Sequence, residues 1–283
     1  MFVFKAAVVG AGTMGGEIAQ AIASADVAVV LKDLDLSCVE RALVKARGLW
    51  QAQVDAGKLD AAELESKLAL ITGSTGYENF GDVDFVIEAV PERMEVKQAV
   101  FAELDEVTPG HAILASNTSA LSITEIGEAT SRPEKVVGFH FFYPAARTRL
   151  IEVIEGDDTS PETSQAAMNF ASAIRKMPIR CGETPGFVVN RILNSSVSEL
   201  WRHQEATGTP VSELDQLVAE SKLAPTGPFY LADLLGLDTV LHVAQHLHEA
   251  YGDRFFVHRE LQNLVAAGDL GAKTGKGFYD HGA

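Results

Sequence analysis

The sequence predicts an α/β fold in which a doubly wound sheet at the N-terminus is followed by a smaller, all-helical domain. Short apolar runs alternate with helical patterns up to Cys181, as is typical of α/β proteins. Beyond Glu183 every pattern is helical, and the change comes at Thr184 and Pro185, which are good residues for the N-cap and first turn of a helix. We therefore predict two domains, residues 1–183 and 184–283.

The first strand, helix and second strand are expected to bind a dinucleotide. The apolar run Lys5–Val9 leads into the glycine-rich turn GAGTMG, then into a helical pattern and a second apolar run. Asp33 follows, 18 residues after the turn, where an acid accepts hydrogen bonds from the adenosine ribose. A carboxylate there repels a 2′-phosphate, so the unit predicts a Rossmann-type domain that binds NAD rather than NADP.

Each glycine of the turn has a physical role. Gly10 makes the tight turn, Gly12 lets the backbone approach the pyrophosphate, and Gly15 lets helix and strand pack closely. The amides of the helix start then face the phosphates. The residues expected at the cofactor are Gly10, Gly12, Thr13, Met14 and Gly15.

The following elements continue the alternation of helices and strands. Helical patterns are predicted at residues 37–57, 60–68 and 161–176, and strands at 68–72, 83–89, 112–115, 136–144, 150–154 and 178–181. In the second domain we predict helices at 187–205, 211–220, 229–251 and 258–267.

Two charged residues follow the strand at 83–89. Glu92 and Lys97 lie five residues apart at the start of a helix, and such pairs are usually surface charges. They also follow the carboxyl end of a strand, where ligands bind in open α/β sheets. The polar run Ser116 to Leu121 ends the next strand in the same way, so Ser119 is a candidate substrate contact, although Ser122 to Glu125 resembles a helix capping box.

His140 and Glu152 each interrupt an apolar strand at a position where Val or Leu is usual. Consecutive strands are usually neighbours in a sheet, so the two side chains are expected to meet. An imidazole paired with a carboxylate is suited to general base catalysis, because the acid fixes the tautomer and stabilises the imidazolium. From these residues alone, a core histidine satisfied by a nearby acid is an equal alternative.

Composition excludes some classes of partner. The formal charge of −16, from 23 Lys and Arg against 39 Asp and Glu, argues against nucleic acid and anionic membranes. No uninterrupted apolar run is long enough to span a membrane. Cys38 and Cys181 fit no disulfide or metal framework and are expected as reduced, buried thiols, so a cytoplasmic protein is predicted. No metal site is expected, because His242, His246 and His248 lie in a helical segment without further ligands.

The chain closely resembles the L-3-hydroxyacyl-CoA dehydrogenase family over nearly its whole length. The resemblance rests on several motifs in order: GAGTMG at 10–15, VIEAVPE at 86–92, ASNTSAL at 115–121, GFHFFYP at 138–144, LIEVI at 150–154, TPGFVVNR at 184–191, GPFYLADLLGLD at 227–238 and KTGKGFY at 273–279.

The resemblance implies specific roles. His140 resembles the family's catalytic base and Glu152 its orienting acid, and Ser119 and Asn190 resemble the side chains that hold the reacting oxygen and acyl chain. The residues that resemble cofactor contacts are Asp33, Glu92, Lys97, Ser119, Tyr143 and Lys273. The implied reaction is the reversible, NAD-dependent oxidation of (S)-3-hydroxyacyl-CoA to 3-oxoacyl-CoA, in fatty-acid β-oxidation or short-chain acyl-CoA metabolism.

The chain departs from the family at two places. Tyr143 stands where the family usually has a cofactor-contacting Asn. Leu49 and Ala56 stand where a Ser and a Lys contact CoA in relatives, which leaves Lys58 as a candidate substitute.

The resemblance also implies an assembly. The helical domain resembles the family's dimerisation domain, so we expect a homodimer and, as a further partner, a separate enoyl-CoA hydratase. The alternatives are a dehydrogenase of free 3-hydroxy acids, which is expected to use a lysine where this chain has Asn190-Arg191, and a non-catalytic NAD-binding structural protein.

Overall fold

The computed structural model describes residues 2–224 and 226–282. Contacts within the chain divide it into two compact units, Met1–Glu183 and Thr184–Ala283. The first is an eight-stranded sheet covered by helices and the second is helical. No helix in the described part of the chain is both long and apolar enough to cross a membrane.

The sheet of the first unit has the strand order β3-β2-β1-β4-β5-β6-β7-β8. Neighbouring strands are parallel except for β6 and β7, which form an antiparallel pair. The strands are β1 (Lys5–Val9), β2 (Ala28–Lys32), β3 (Ile71–Ser74), β4 (Phe85–Glu88), β5 (Ile113–Ser116), β6 (Val136–Phe141), β7 (Leu150–Glu155) and β8 (Met177–Gly182). The order reverses between β1 and β4, and in doubly wound sheets ligands bind outside the strand ends at this point.

Residues 2–183 of this unit form six α-helices: α1 (Thr13–Ser24), α2 (Leu36–Asp55), α3 (Ala61–Ala69), α4 (Met94–Val107), α5 (Ile123–Gly127) and α6 (Pro161–Ala173). A 3-10 turn, Pro133–Lys135, precedes β6. The central strands read as continuous apolar runs because both faces are covered, and all four residues of β4 and of β5 are buried.

The strand predicted at 68–72 begins later than expected. Leu68 was placed both at the end of a helix and at the start of this strand; it lies in α3, and β3 begins at Ile71. The reason is local, since Asp60 and Glu63 form a capping box that starts the helix. Leu68 then lies one turn beyond the buried Leu64 and packs against the same core.

The second unit contains five helices among its described residues: α7 (Val189–Thr207), α8 (Val211–Glu220), α9 (Pro228–Leu235), α10 (Leu237–Tyr251) and α11 (Arg259–Ala267), with a 3-10 turn at Gly252–Arg254. The single helix predicted at 229–251 is two helices. Gly236 separates them with a φ of +96°, a backbone angle outside the α-helical region. The break lets Leu237 pack with no exposed surface in a core that includes Trp201 and Phe229.

The first helix of this unit also begins later than predicted. Gly186 and Phe187 have φ angles of +75° and +45°, so neither continues a right-handed helix, and α7 starts at Val189.

Candidate active site

The glycine-rich turn between β1 and α1 gives its three glycines different surroundings. Gly10 has a φ of +101°, and a Cβ there would lie 2.5 Å from the Ala89 carbonyl oxygen. A Cβ on Gly15 would lie 1.7 Å from the Gly10 carbonyl oxygen. A Cβ on Gly12 would meet no described protein atom within 4 Å. Two glycines are thus needed by the protein itself, whereas the open side of Gly12 fits the approach of a pyrophosphate.

The start of α1 faces the same space. Gly12 is its N-cap, and no side chain among the described residues caps the helix there. Thr13 and Met14 form the start of the first turn and are at least partly exposed. Uncapped amides and the positive end of the helix dipole favour a bound phosphate, so this turn fits the dinucleotide that the sequence predicts.

Asp33 lies at the end of β2, beside the glycine-rich turn. Its Oδ2 accepts a hydrogen bond from the Ala11 amide at 2.7 Å, and its Oδ1 accepts one from the Leu34 amide at 2.7 Å. The carboxylate is therefore fixed against the turn and is only half-buried. Oδ1 also accepts the Asp35 amide at 3.3 Å, whereas Oδ2 keeps a lone pair that is suited to receive a ribose hydroxyl.

Glu92 and Lys97 are parts of a buried cluster. Lys97 is only 1% exposed, and its Nζ lies 2.8 Å from Glu88 Oε1 and 3.2 Å from Glu92 Oε2. Oε1 of Glu92 accepts hydrogen bonds from Thr118 Oγ1 at 2.6 Å and from the Ser119 amide at 2.7 Å. The expectation that these two charges lie on the helix surface is therefore wrong for Lys97.

The Glu92 carboxyl has a pKa below its usual range. Burial acts to raise this pKa, but the Lys97 ammonium and the hydrogen bonds from Thr118 and Ser119 outweigh burial. Glu92 is consequently ionised at neutral pH and holds the loop that carries Ser119.

His140 and Glu152 meet as the strand argument predicts. They are directly opposite each other in the antiparallel pair of β6 and β7, and His140 Nδ1 lies 2.8 Å from Glu152 Oε2. The two side chains are 5% and 0% exposed. A carboxylate only accepts hydrogen bonds, so Nδ1 carries a proton and Nε2 is the basic nitrogen of the neutral ring.

Asn117 fixes the strand next to His140. Its side-chain Oδ1 accepts a hydrogen bond from the Phe141 backbone N–H at 2.9 Å, and its backbone N–H donates to the Glu88 carbonyl oxygen at 2.8 Å. The carboxyl ends of β4, β5 and β6 are thereby tied together. Ser119, His140 and Glu92 accordingly belong to one edge of one sheet.

The other candidates are placed as follows. Asn190 is the second residue of α7, and Lys273 forms an ion pair with Asp238 at 2.5 Å. Asn190 and Lys273 both belong to the helical unit, so their contacts with substrate or cofactor stay a prediction. Tyr143 is 42% exposed in the loop after β6.

A cleft of about 620 Å³ lies beside the loop between β6 and β7. Its walls come from α1, α2, α3 and the segments before β7 and β8. Six cationic residues line it: Lys58, Lys67, Arg147, Arg149, Arg175 and Lys176. Lys67 pairs with Asp26, and Lys176 donates to the carbonyls of Ala145 and Thr148, whereas the other four are exposed.

Sequence reasoning missed several residues of this site. Glu88 was read only as a strand residue, although a Glu that ends an apolar strand is an unusual core residue and was a usable signal. Ser116, Asn117 and Thr118 were recognised as part of a polar run at a strand end, but their individual roles were not predicted. Arg175 was missed because its approach to Lys58 depends on the fold. Cys38 and Cys181, which were expected to be buried, are only partly buried. Among residues 2–224 and 226–282, no group of three or more His, Cys, Asp or Glu residues is arranged to hold a metal ion.

Comparison with known proteins decides the family. Residues 5–184 match the model of the 3-hydroxyacyl-CoA dehydrogenase NAD binding domain, and residues 186–281 match that of the 3-hydroxyacyl-CoA dehydrogenase C-terminal domain. The chain belongs to the 3-hydroxyacyl-CoA dehydrogenase family. The predicted fold class, a Rossmann-type domain followed by a helical domain, is confirmed, and the cofactor of this dehydrogenase is NAD.

Individual relatives match this chain over nearly its whole length. A 3-hydroxybutyryl-CoA dehydrogenase from Clostridioides difficile is 39% identical over 278 residues, which are 98% of this chain and 99% of the relative. The crystal structure of (S)-3-hydroxybutyryl-CoA dehydrogenase from Ralstonia eutropha covers 100% of both chains with a TM-score of 0.92 and 35% identity. The fatty acid oxidation complex subunit alpha of Colwellia psychrerythraea is 38% identical, and the match takes up 38% of its length.

Proposed function

We propose that the protein oxidises 3-hydroxyacyl-CoA to 3-oxoacyl-CoA with NAD, in a reversible reaction in which His140 is the general base. The observation that carries the proposal is the buried contact between His140 Nδ1 and Glu152 Oε2 at 2.8 Å. A base and its orienting acid lie on the sheet edge that also bears the glycine-rich turn. That edge is where a doubly wound sheet binds its ligands.

His140 takes the proton of the 3-hydroxyl at Nε2 and becomes an imidazolium. Glu152 stabilises this charge and holds the ring in one orientation. Ser119 is proposed to hold the reacting oxygen, and Asn190 the acyl chain. Bound NAD supplies the hydride acceptor. In the reverse direction the imidazolium returns its proton to the oxygen.

The cofactor is proposed to lie along the turn and the ends of the strands. Gly10, Gly12, Thr13, Met14 and Gly15 would hold the pyrophosphate, and Asp33 the adenosine ribose. Glu92 and Ser119 would face the nicotinamide half, with Tyr143 and Lys273 as further contacts. Lys97 is proposed as another contact of the cofactor.

The basic cleft favours a CoA ester over a free acid as substrate. Arg149 precedes Glu152 by three residues, so the cleft begins about 10 Å along the chain from the base pair. Exposed Arg147, Arg149, Arg175 and Lys58 suit the phosphates of CoA, and the pantetheine arm bridges such a separation. A free 3-hydroxy acid has no group that reaches this cleft.

Two assays test the proposal. The protein should consume NADH with acetoacetyl-CoA and much more slowly with acetoacetate, and His140→Gln should lower kcat by at least about 10²-fold while NADH still binds. Near-normal turnover by this variant would exclude His140 as the base. Equal use of free acetoacetate would favour the free-acid dehydrogenase.

The cleft has its own test. Arg149→Gln should raise KM for acetoacetyl-CoA about tenfold, as expected for one lost charged hydrogen bond at an exposed site. The same variant should match the wild type with acetoacetyl-pantetheine, which lacks the phosphates. Arg180→Gln serves as the control, because Arg180 is an exposed arginine of the same unit that pairs with Glu155 at 3.6 Å. An equal rise in KM for both substrates would contradict the assignment of Arg149 as a contact of the CoA phosphates.

The proposed assembly is a homodimer formed through the helical domains. The apolar residues Leu237, Val243 and Ala244 lie in the interior of the unit. Exposed apolar side chains remain on it: Ile192, Leu193, Leu217, Leu223, Leu234 and Leu235. Large exposed apolar patches mark association surfaces, and two-fold dimers are the commonest closed form. Sedimentation equilibrium should give twice the 30.3 kDa chain mass, and a monomer at micromolar concentration would contradict the dimer.

A cytoplasmic location and a separate hydratase partner stay predictions.

A further inference from the structure

The chain leaves α6 through a residue with a left-handed backbone. The Arg175 amide donates to the Ser172 carbonyl at 3.0 Å. The Lys176 amide donates to the Ala171 carbonyl at 2.9 Å, so the two bonds form a Schellman motif. Arg175 takes the position in this motif that is usually glycine, and its φ is +62°. A residue with a side chain is strained there, because its Cβ lies too close to the following carbonyl oxygen.

The backbone at Arg175 is fixed by the residue that follows it. Lys176 is 8% exposed, and its Nζ donates to the carbonyls of Ala145 and Thr148 at 2.6 Å and 2.8 Å. The chain must therefore turn at residue 175 to bring the Lys176 side chain into the protein. A glycine makes the same turn without strain, so the fold itself does not require an arginine.

The side chain of Arg175 lies in the basic cleft. It is exposed, and it lines the cleft together with the exposed Lys58, Arg147 and Arg149. Within residues 2–224 and 226–282, none of these four cations forms an ion pair. Their charges are therefore available to an anionic ligand.

The acids in the wall of the cleft are already engaged with other groups. Asp26 pairs with Lys67 at 2.8 Å, and Asp60 and Glu63 form the capping box of α3. The protein thus places four uncompensated cations in one cleft although its formal charge is −16. A ligand with several negative charges fits this cleft best.

We propose that Arg175 is a specificity-determining residue for CoA: its guanidinium binds a phosphate of CoA, and the strained backbone is kept for the sake of this contact. The inference rests on the proposed function, in which the substrate is a CoA ester. A guanidinium donates to two phosphate oxygens at once, with a fixed geometry. Strained residues cluster at ligand sites, where the surrounding structure fixes them. Arg175 therefore lowers the stability of the protein and raises its affinity for CoA.

Arg175→Gly tests both parts of the proposal. The variant removes the guanidinium and relieves the strain, so we expect Tm to rise by about 2 °C. Calorimetric titration should show a Kd for free CoA that is about threefold to tenfold higher than that of the wild type. The KM for acetoacetyl-pantetheine, which lacks the phosphates, should be unchanged. Wild-type affinity for CoA, or an equal rise in KM for acetoacetyl-pantetheine, would overturn the assignment of the phosphate. A lower Tm would overturn the argument from strain.

Arg175→Gln separates the charge from the backbone. It removes the charge and leaves a side chain in the left-handed conformation, so the Kd for CoA should rise as in Arg175→Gly while Tm stays at the wild-type value. Wild-type affinity for CoA in this variant would overturn the proposal, because the charge would then play no part in binding.

Lys222→Gly is the matched control. Lys222 is an exposed cation at the end of α8 with a φ of +58°, and it does not line the cleft. Its replacement should raise Tm as in Arg175→Gly and leave the Kd for CoA unchanged. Weaker CoA binding by this variant would show a general effect of removing a surface cation and would overturn the proposal.

The titration with free CoA distinguishes this inference from the proposed function. If the wild type binds CoA, Arg175→Gly weakens that binding and acetoacetyl-CoA is not turned over, the proposed oxidation is wrong and the role of Arg175 stands. If acetoacetyl-CoA is turned over and Arg175→Gly binds CoA as tightly as the wild type, the oxidation stands and the role of Arg175 is wrong.

Discussion

Glu152→Gln is the most direct test of how the site stabilises charge. The substitution keeps the shape of the side chain and removes its charge at 2.8 Å from His140 Nδ1. Both residues are buried, at 5% exposed for His140 and 0% for Glu152, so little water screens the pair. The effect should therefore fall on the imidazolium that forms as the hydroxyl proton is taken.

The magnitude follows from the charge separation. Two unit charges about 4 Å apart interact by about 4 kcal/mol at an effective dielectric constant of about 20. Losing that interaction in the transition state corresponds to roughly 10³-fold in rate, at about 1.4 kcal/mol per tenfold. The orienting hydrogen bond is partly kept by the amide, so we expect a fall in kcat/KM of roughly 10²-fold to 10³-fold.

The assay follows NADH at 340 nm in both directions, with 3-hydroxybutyryl-CoA and with acetoacetyl-CoA. A catalyst cannot change the overall equilibrium, so kcat/KM must fall by the same factor both ways. Glu155→Gln is the matched control, as it makes the same change on the same strand at a residue that faces Arg180. A folded Glu152→Gln variant within about threefold of wild-type kcat/KM would refute the electrostatic argument.

Three further predictions follow from the cofactor turn and its neighbours. Gly12→Ala should keep the wild-type Tm and weaken NADH binding, because its Cβ meets no described atom within 4 Å. Gly15→Ala should lower Tm, because its Cβ would lie 1.7 Å from the Gly10 carbonyl oxygen. Calorimetry measures Tm and titration measures NADH binding, and a lower Tm for Gly12→Ala would contradict the first expectation. Wild-type kcat/KM should favour NAD over NADP by more than about tenfold, since Asp33 repels a 2′-phosphate, and equal values would exclude that role. The depressed pKa of Glu92 contributes stability that is complete above the unfolded value of about 4.3 and is lost as pH falls through the folded pKa. Wild-type Tm should therefore fall more steeply below about pH 4.3 than that of Glu92→Gln, and parallel curves would show that Glu92 is not responsible.

Much of the first unit is readable from the sequence because its signals are local. The glycines of the turn at residues 10–15 specify its geometry, and buried strands such as β4 are recognisable in the sequence as apolar runs. The contact between His140 and Glu152 was also predictable, because two consecutive strands with a short connection are usually neighbours in a sheet. A polar residue in the middle of each strand then had one natural partner.

Other features depend on residues that are distant in sequence. The break at Gly236 was not predicted, because the apolar pattern on either side of it continues at helical spacing, and packing of Leu237 in the core decides the turn. The sequence left Lys97 open as a surface charge or a cofactor contact, because its spacing from Glu92 does not show whether the side chain is buried. In the structure Lys97 is buried beside Glu88 and Glu92, and these acids in turn accept hydrogen bonds from Ser116 at the end of β5 and from Thr118 just after it.

The sequence by itself determined the dinucleotide turn, the acid at Asp33 and the paired strands of His140 and Glu152, since neighbours along the chain or consecutive strands form each of them. The tertiary structure alone decided that Glu88, Lys97 and Glu92 hold the Ser119 loop, and that Lys58 and Arg175 share one basic cleft. The residues that line this cleft come from segments up to 117 residues apart, from Lys58 to Arg175, and no local pattern of charge or hydrophobicity shows that they lie together. Burial of an ionic side chain is stable only when several distant partners satisfy it together, and the fold supplies those partners.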